Sequence, residues 1–148
     1  MPTRFGHTAI VARDPERLAA FYIEVLDCEI SGPRRDLFGT ALERGMGLPG
    51  AHVQGVHLRL PGHGGQGPVL EIFQLEQTVP GSDAVNRVGL MHIAFSVDDV
   101  QTTLDRIKAA GGSTQGELAE VTVSGVGTAE FVYARDPEGN IVELQGWK

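Results

Sequence analysis

Cysteine is all but missing from this sequence: Cys28 stands alone among 148 residues. A single thiol excludes an internal disulfide, argues against a structural zinc site built from thiolates, and suits a reducing compartment. Dense basic runs are missing as well. Twelve Lys and Arg oppose nineteen Asp and Glu, a net charge of -7, so neither nucleic acid nor an anionic membrane surface is the expected partner. A small molecule is. No apolar run approaches the roughly 20 residues of a spanning helix, and the N-terminus has no basic segment followed by a hydrophobic one. The expectation is a soluble, unprocessed, cytoplasmic protein. A chain of 148 residues has the length of about one domain, and it buries roughly two-thirds of its surface on folding. It needs no metal or disulfide merely to hold together.

What is present is a repeat organised around residues 89–100, Gly-Leu-Met-His-Ile-Ala-Phe-Ser-Val-Asp-Asp-Val. As a strand, its period of two puts His92, Ala94 and Ser96 on one face and Ile93, Phe95 and Val97 on the other. The fragment around His7 follows the same plan at a constant offset of 85: His7 with His92, Ala9 with Ala94, Ile10 with Phe95, Asp14 with Asp99. The halves also end alike. Glu71 lies inside Val69-Leu70-Glu71-Ile72-Phe73 and Glu143 inside Ile141-Val142-Glu143-Leu144-Gln145, each four residues after a glycine and now offset by 72. Two histidines and two glutamates therefore occupy equivalent positions in two copies of one unit, the first copy carrying thirteen extra residues.

Along the chain, residues 4–11 read as a strand. Asp14-Pro15 reads as a helix start, Asp as N-cap and Pro at the first helical position. Leu18, Phe21, Tyr22, Val25 and Leu26 then form one apolar face. A short strand near 28–31 leads into residues 32–50, an excursion rich in glycine with a short helix expected at 37–44. Residues 53–60 alternate as a strand, 61–67 form a glycine-rich hairpin loop, and 68–76 close the first module. A polar connector follows at 77–88. The second helix starts at Asp98 or Asp99, buries Val100, Leu104 and Ile107, and ends at Gly111-Gly112. Strands at 113–121 and 128–134, the turn 136–140 and a last strand complete a β-α-β-β-β pattern, twice over.

A doubled β-α-β-β-β unit with His on the first strand and Glu on the last resembles the vicinal oxygen chelate superfamily, which includes glyoxalase I, methylmalonyl-CoA epimerase, extradiol dioxygenases, and fosfomycin- and bleomycin-resistance proteins. The resemblance runs over nearly the whole chain and is most specific at residues 90–99 and 136–144. Residues 32–65 match nothing assignable. It implies one α+β domain over 1–148, with two βαβββ modules (about 4–76 and 89–148) forming a curved mixed sheet that encloses a cup-shaped metal site. Position by position, it makes His7, Glu71, His92 and Glu143 the ligands of one divalent transition-metal ion: Zn, Ni, Co, Mn or Fe. Imidazole with carboxylate suits those ions, and a carboxylate within an apolar strand gains from a cation beside it. The resemblance also implies a homodimer.

Taken singly, a strand histidine is more often a hydrogen-bonded core or surface residue, and a strand glutamate is often just solvent-facing; the repetition is what separates these four. Outside the quartet, His52 and His63 fall in loops and read as solvated. His57 and Arg59 share a strand face that either lines the pocket or is simply polar and outward. Arg34, Arg35 and Arg87 read as exposed charges before they read as anion-binding groups, and Cys28 as a small packed residue.

Four protein ligands leave two positions on an octahedral ion, enough for two neighbouring oxygens of one substrate. Extradiol cleavage is better served by two His and one carboxylate with three open positions. A fosfomycin-type transferase resembles a His-His-Glu set and lacks the extra carboxylate. The leading reading is a glyoxalase I-like lyase or isomerase that moves a proton next to a carbonyl through an enediolate; the resemblance to glyoxalase I implies Glu143 as base, with Glu71 assisting. An acyl-thioester epimerase is its near alternative. A non-catalytic, bleomycin-resistance-like binding protein is the alternative from another class, and the full quartet counts against it.

Overall fold

The computed structural model describes residues 2–148. The chain forms two compact units, 1–80 and 81–148, each an α+β module. The first contains β1 (His7–Val11), α1 (Pro15–Leu26), β2 (Glu29–Ile30), β3 (Arg35–Phe38), α2 (Thr40–Met46), β4 (His52–Arg59) and β5 (Val69–Leu75). The second contains β6 (Ile93–Ser96), α3 (Val100–Ala109), β7 (Ser113–Thr114), β8 (Ala119–Val123), β9 (Gly127–Arg135) and β10 (Ile141–Trp147).

The two sheets have the same order. In the first unit β1 runs parallel to β5, β5 antiparallel to β4, and both β2 and β3 pair with β4. In the second, β6 runs parallel to β10, β10 antiparallel to β9, and both β7 and β8 pair with β9. Each pair of short strands is one edge strand broken in the middle, so the expected β-α-β-β-β plan holds with an interrupted third element. The broken edge explains two departures from the sequence reading. Residues 113–121 are two strands with a gap rather than one. Leu37 and Phe38, expected in a helix at 37–44, extend the edge of β4 instead, and the helix begins after Gly39, whose φ of 108° breaks the strand.

Helix placement follows from capping and one apolar face. Asp14 Oδ1 accepts from the Arg17 amide at 3.0 Å, Pro15 opens α1, and Asp27 ends it in the left-handed region. Asp99, rather than Asp98, caps α3, accepting from the Thr102 amide at 2.7 Å. Leu18 and Tyr22 of α1 are completely buried, as are Leu58, Leu70 and Ile72 of the strands it packs on. Full burial of such a side chain contributes roughly 1.5–3 kcal/mol. Because α1 takes one face of its sheet, strand alternation sends the polar residues to the other. Leu70 and Ile72 are fully buried while Glu71 between them keeps a small exposed fraction, and Val142 and Leu144 flank Glu143 in the same way.

Gly55, in the middle of β4, shows how closely this sheet is packed. A Cβ there would stand 2.0 Å from the Ile72 carbonyl oxygen and 2.9 Å from the Phe73 ring. Backbone cannot yield as a flexible side chain can, so Gly55→Ala is expected to destabilise the first unit by at least about 1–3 kcal/mol, the usual cost of overpacking. Chemical denaturation checks this, and a change under about 0.5 kcal/mol, the range of ordinary surface substitutions, would refute it.

Candidate metal centre

Parallel pairing places each histidine diagonally across from its glutamate. Ala9 is the register partner of Glu71 and His7 lies two residues earlier on the same face; Ala94 is the partner of Glu143 and His92 lies two residues earlier. His92 sits just ahead of β6, not within it as the sequence reading had it. The resulting contacts are near copies: His7 Nε2 is 3.0 Å from Glu71 Oε2, and His92 Nε2 is 2.8 Å from Glu143 Oε2. Both carboxylates are mostly covered, with side chains 14% and 18% exposed.

Antiparallel pairing adds a third residue to each. His57 is the register partner of Glu71, its Nε2 3.0 Å from Oε1, and Tyr133 is the register partner of Glu143. The His92 and Tyr133 rings lie 4.8 Å apart. Burial holds His57 below the ordinary histidine range, with Arg35 and His7 acting in the same direction and Glu71 against it. Burial, and then the Glu143 charge, push the Tyr133 hydroxyl above its usual range. The sequence reading left His57 open between pocket and surface, and passed over Tyr133. Folding the chain symmetrically about the 61–67 loop and about the 136–140 turn would have set both opposite the glutamates.

That second turn is built to hold β10 in place. The Asp136 carboxylate, 3% exposed, accepts from the Glu138 amide at 2.9 Å, the Asn140 amide at 3.0 Å and the Asn140 side-chain nitrogen at 2.9 Å. Gly139 takes φ 91° between them. Buried hydrogen bonds to a carboxylate are among the stronger ones, so the strand carrying Glu143 leaves its turn at a fixed angle.

The structure thus brings His7 to Glu71 in one unit and His92 to Glu143 in the other. Among the described residues no group of three or more His, Cys, Asp or Glu is arranged to hold a metal ion by itself, so each unit offers a pair. The pairs suit a first-row divalent ion in two respects. Imidazole with carboxylate is the appropriate donor chemistry. The 2.8 and 3.0 Å separations are those of a His-carboxylate hydrogen bond and also of neighbouring ligands on a six-coordinate ion, about 3 Å for bonds of about 2.1 Å. Two other imidazole nitrogens beside the pairs, Nδ1 of His92 and Nε2 of His57, are buried without a hydrogen-bond partner. The thiol is no competitor: burial pushes the pKa of Cys28 up to about 12, with the Asp27 charge adding to it.

His52 departs from its expectation. Ala51 is buried, 4% exposed, so the strand begins at His52, which lies between Asp36 at 2.6 Å and Glu76 at 3.0 Å rather than in a solvated loop. Those hydrogen bonds, Asp36 foremost, raise its pKa. His63 is exposed as expected. Arg34 pairs with Glu16, Arg35 and Arg87 donate to the backbone carbonyls of Pro33 and Leu90, and Arg59 lies 3.6 Å from Glu29.

A family model described as the Glyoxalase/Bleomycin resistance protein/Dioxygenase superfamily matches residues 4–144. A Vibrio parahaemolyticus protein named Probable lactoylglutathione lyase is 43% identical over 53 residues, 36% of this chain and 36% of that protein, so the matched stretch spans about a third of its length. An ethylmalonyl-CoA/methylmalonyl-CoA epimerase of Cereibacter sphaeroides is 28% identical over 143 residues, 96% of each chain. A crystal structure of a glyoxalase family protein from Bacillus cereus superposes with a TM-score of 0.85 at 20% identity, covering 99% of this chain and 95% of that one. At that identity the likeness is one of fold. No helix among the described residues is long and apolar enough to cross a membrane.

Proposed function

Because the chain belongs to the glyoxalase/bleomycin resistance protein/dioxygenase superfamily, we propose that it is a metal-dependent lyase or isomerase of the glyoxalase I type, moving a proton on carbon next to a carbonyl. The observation that carries this is the repeated pair, a histidine nitrogen 3.0 or 2.8 Å from a mostly covered glutamate. His7, Glu71, His92 and Glu143 are the proposed ligands of one divalent transition-metal ion. When bound, such an ion supplies Lewis-acid polarisation of a carbonyl oxygen.

The side chains divide the remaining work. Glu143 takes the proton from the carbon beside the carbonyl, its carboxylate kept from full hydration by the apolar strand around it. His7 and His92 would supply the nitrogen ligands. Glu71 receives or returns a proton on the other side. A substrate with two adjacent oxygens, such as a hemithioacetal, suits this division.

One observation favours a second reading, acyl-thioester epimerisation: the similarity to the Cereibacter epimerase runs over 96% of each chain, whereas that to the Vibrio lyase runs over 36%. The two reactions share proton removal and differ in its return, to the adjacent carbon in the lyase or isomerase and to the opposite face of the same carbon in the epimerase. NMR in deuterated water with metal-loaded protein, given a hemithioacetal and separately an α-branched acyl thioester, tests both. Deuterium is expected at carbon in the hemithioacetal product. Exchange in the thioester alone would favour the epimerase, and full metal occupancy with no exchange in either would leave ligand binding as the function.

A further inference from the structure

The two units repeat their histidine and glutamate but not the residue facing the glutamate. Across β4 and β5, His57 faces Glu71; across β9 and β10, the same register position opposite Glu143 is Tyr133. Glu71 accordingly has an imidazole at each oxygen, His7 Nε2 at 3.0 Å from Oε2 and His57 Nε2 at 3.0 Å from Oε1. Glu143 has His92 on Oε2.

His57 is placed for a polar contact and does not complete one in its present orientation. Its side chain is 16% exposed and its ring stands edge-on to Phe73, with centroids 5.5 Å apart. Nε2 is buried without a hydrogen-bond partner, although Glu71 Oε1 is within hydrogen-bond distance. A buried nitrogen left unpaired is costly, and Glu71 Oε1 is the acceptor at hand, 3.0 Å away. We propose that His57 is a positioning residue that donates to Oε1 of Glu71 and leaves Oε2, the oxygen beside His7, to meet the metal. It thereby steadies the Glu71 carboxylate for the metal, a support that Glu143, with Tyr133 in the same register position, does not receive from a histidine. The inference rests on the metal reading above.

Metal affinity, read by competition with a chromogenic chelator using Co(II) or Zn(II), tests it apart from activity. His57→Leu keeps apolar packing against Phe73 and removes the donor; it should weaken metal binding about 10- to 100-fold, as loss of a residue that orients a ligand does. His57→Gln, whose amide can donate to the same oxygen, should recover affinity to within about twofold of wild type, the scatter of non-interacting substitutions. In a Glu71→Gln background the effect of His57→Leu should shrink below about threefold, because the carboxylate it acts through is gone. His57→Ala serves if the leucine protein does not fold. Wild-type affinity in His57→Leu, a glutamine no better than leucine, or an undiminished loss in the Glu71→Gln background would each overturn the inference and leave His57 a packing residue. Failure of wild-type protein to bind metal would instead bring down the metal reading, and this inference with it.

Discussion

Glu143→Gln should leave metal bound and slow proton transfer by at least about a hundredfold. Glutamine keeps the length of the side chain and a weaker oxygen donor but removes the basicity. Positioned general-base catalysis contributes roughly 10²- to 10⁴-fold, about 3–5 kcal/mol of barrier. The Asp136–Asn140 turn holds the start of β10, and the buried Val142 and Leu144 on either side of Glu143 send its side chain to the opposite face of the sheet from theirs. Rates must be compared at matched metal occupancy, because lost metal would imitate a lost base. With the substrate that wild type turns over best, deuterium incorporation is the readout. Retention of more than about a tenth of wild-type turnover, well short of the hundredfold a positioned base supplies, would remove Glu143 as base and move the role to Glu71.

Much of this arrangement was legible because a β-strand repeats every two residues and the chain says the same thing twice. The offsets of 85 and 72 alone pair His7 with His92 and Glu71 with Glu143. Their diagonal placement then follows from the parallel pairing of β1 with β5 and of β6 with β10. Helix starts were nearly as plain: Asp14 stands just before an apolar period, and the second start lay at Asp98 or Asp99, of which Asp99 is the cap. Less legible was whatever depends on cross-strand register. His57 looked like a polar residue on an alternating strand, and only its position opposite Glu71 makes it part of the site. Tyr133 carried no local signal at all. The glycine-rich stretch 32–50 was misread for a different reason: Leu37 and Phe38 are apolar enough for either a helix or an edge strand, and the decision came from tertiary pairing with β4.

Removing a single ligand should show that the two pairs act on one ion. Wild-type protein is expected to bind about one transition-metal ion per set of four ligands, measured by elemental analysis after dialysis against zinc, nickel, cobalt or manganese. His92→Ala and Glu71→Ala lie in different units, yet each should lower affinity by more than about a hundredfold, beyond the 10- to 100-fold that loss of a mere orienting neighbour produces. If the pairs served separate ions, each variant would retain half the wild-type metal at unchanged affinity. Thermal stability gives an independent measure. Metal at about a hundred times its Kd stabilises the folded state by roughly 2.7 kcal/mol, a rise in Tm of roughly 5–10 °C for a chain of this size. That rise should disappear from both variants together, because both residues belong to the proposed ligand set. Wild-type protein that stays metal-free after every dialysis would sink the ligand assignment. Loss of the stabilisation from only one of the two variants would show that a single pair suffices, and the other histidine and glutamate would then be a hydrogen-bonded couple that keeps the sheet's open face polar.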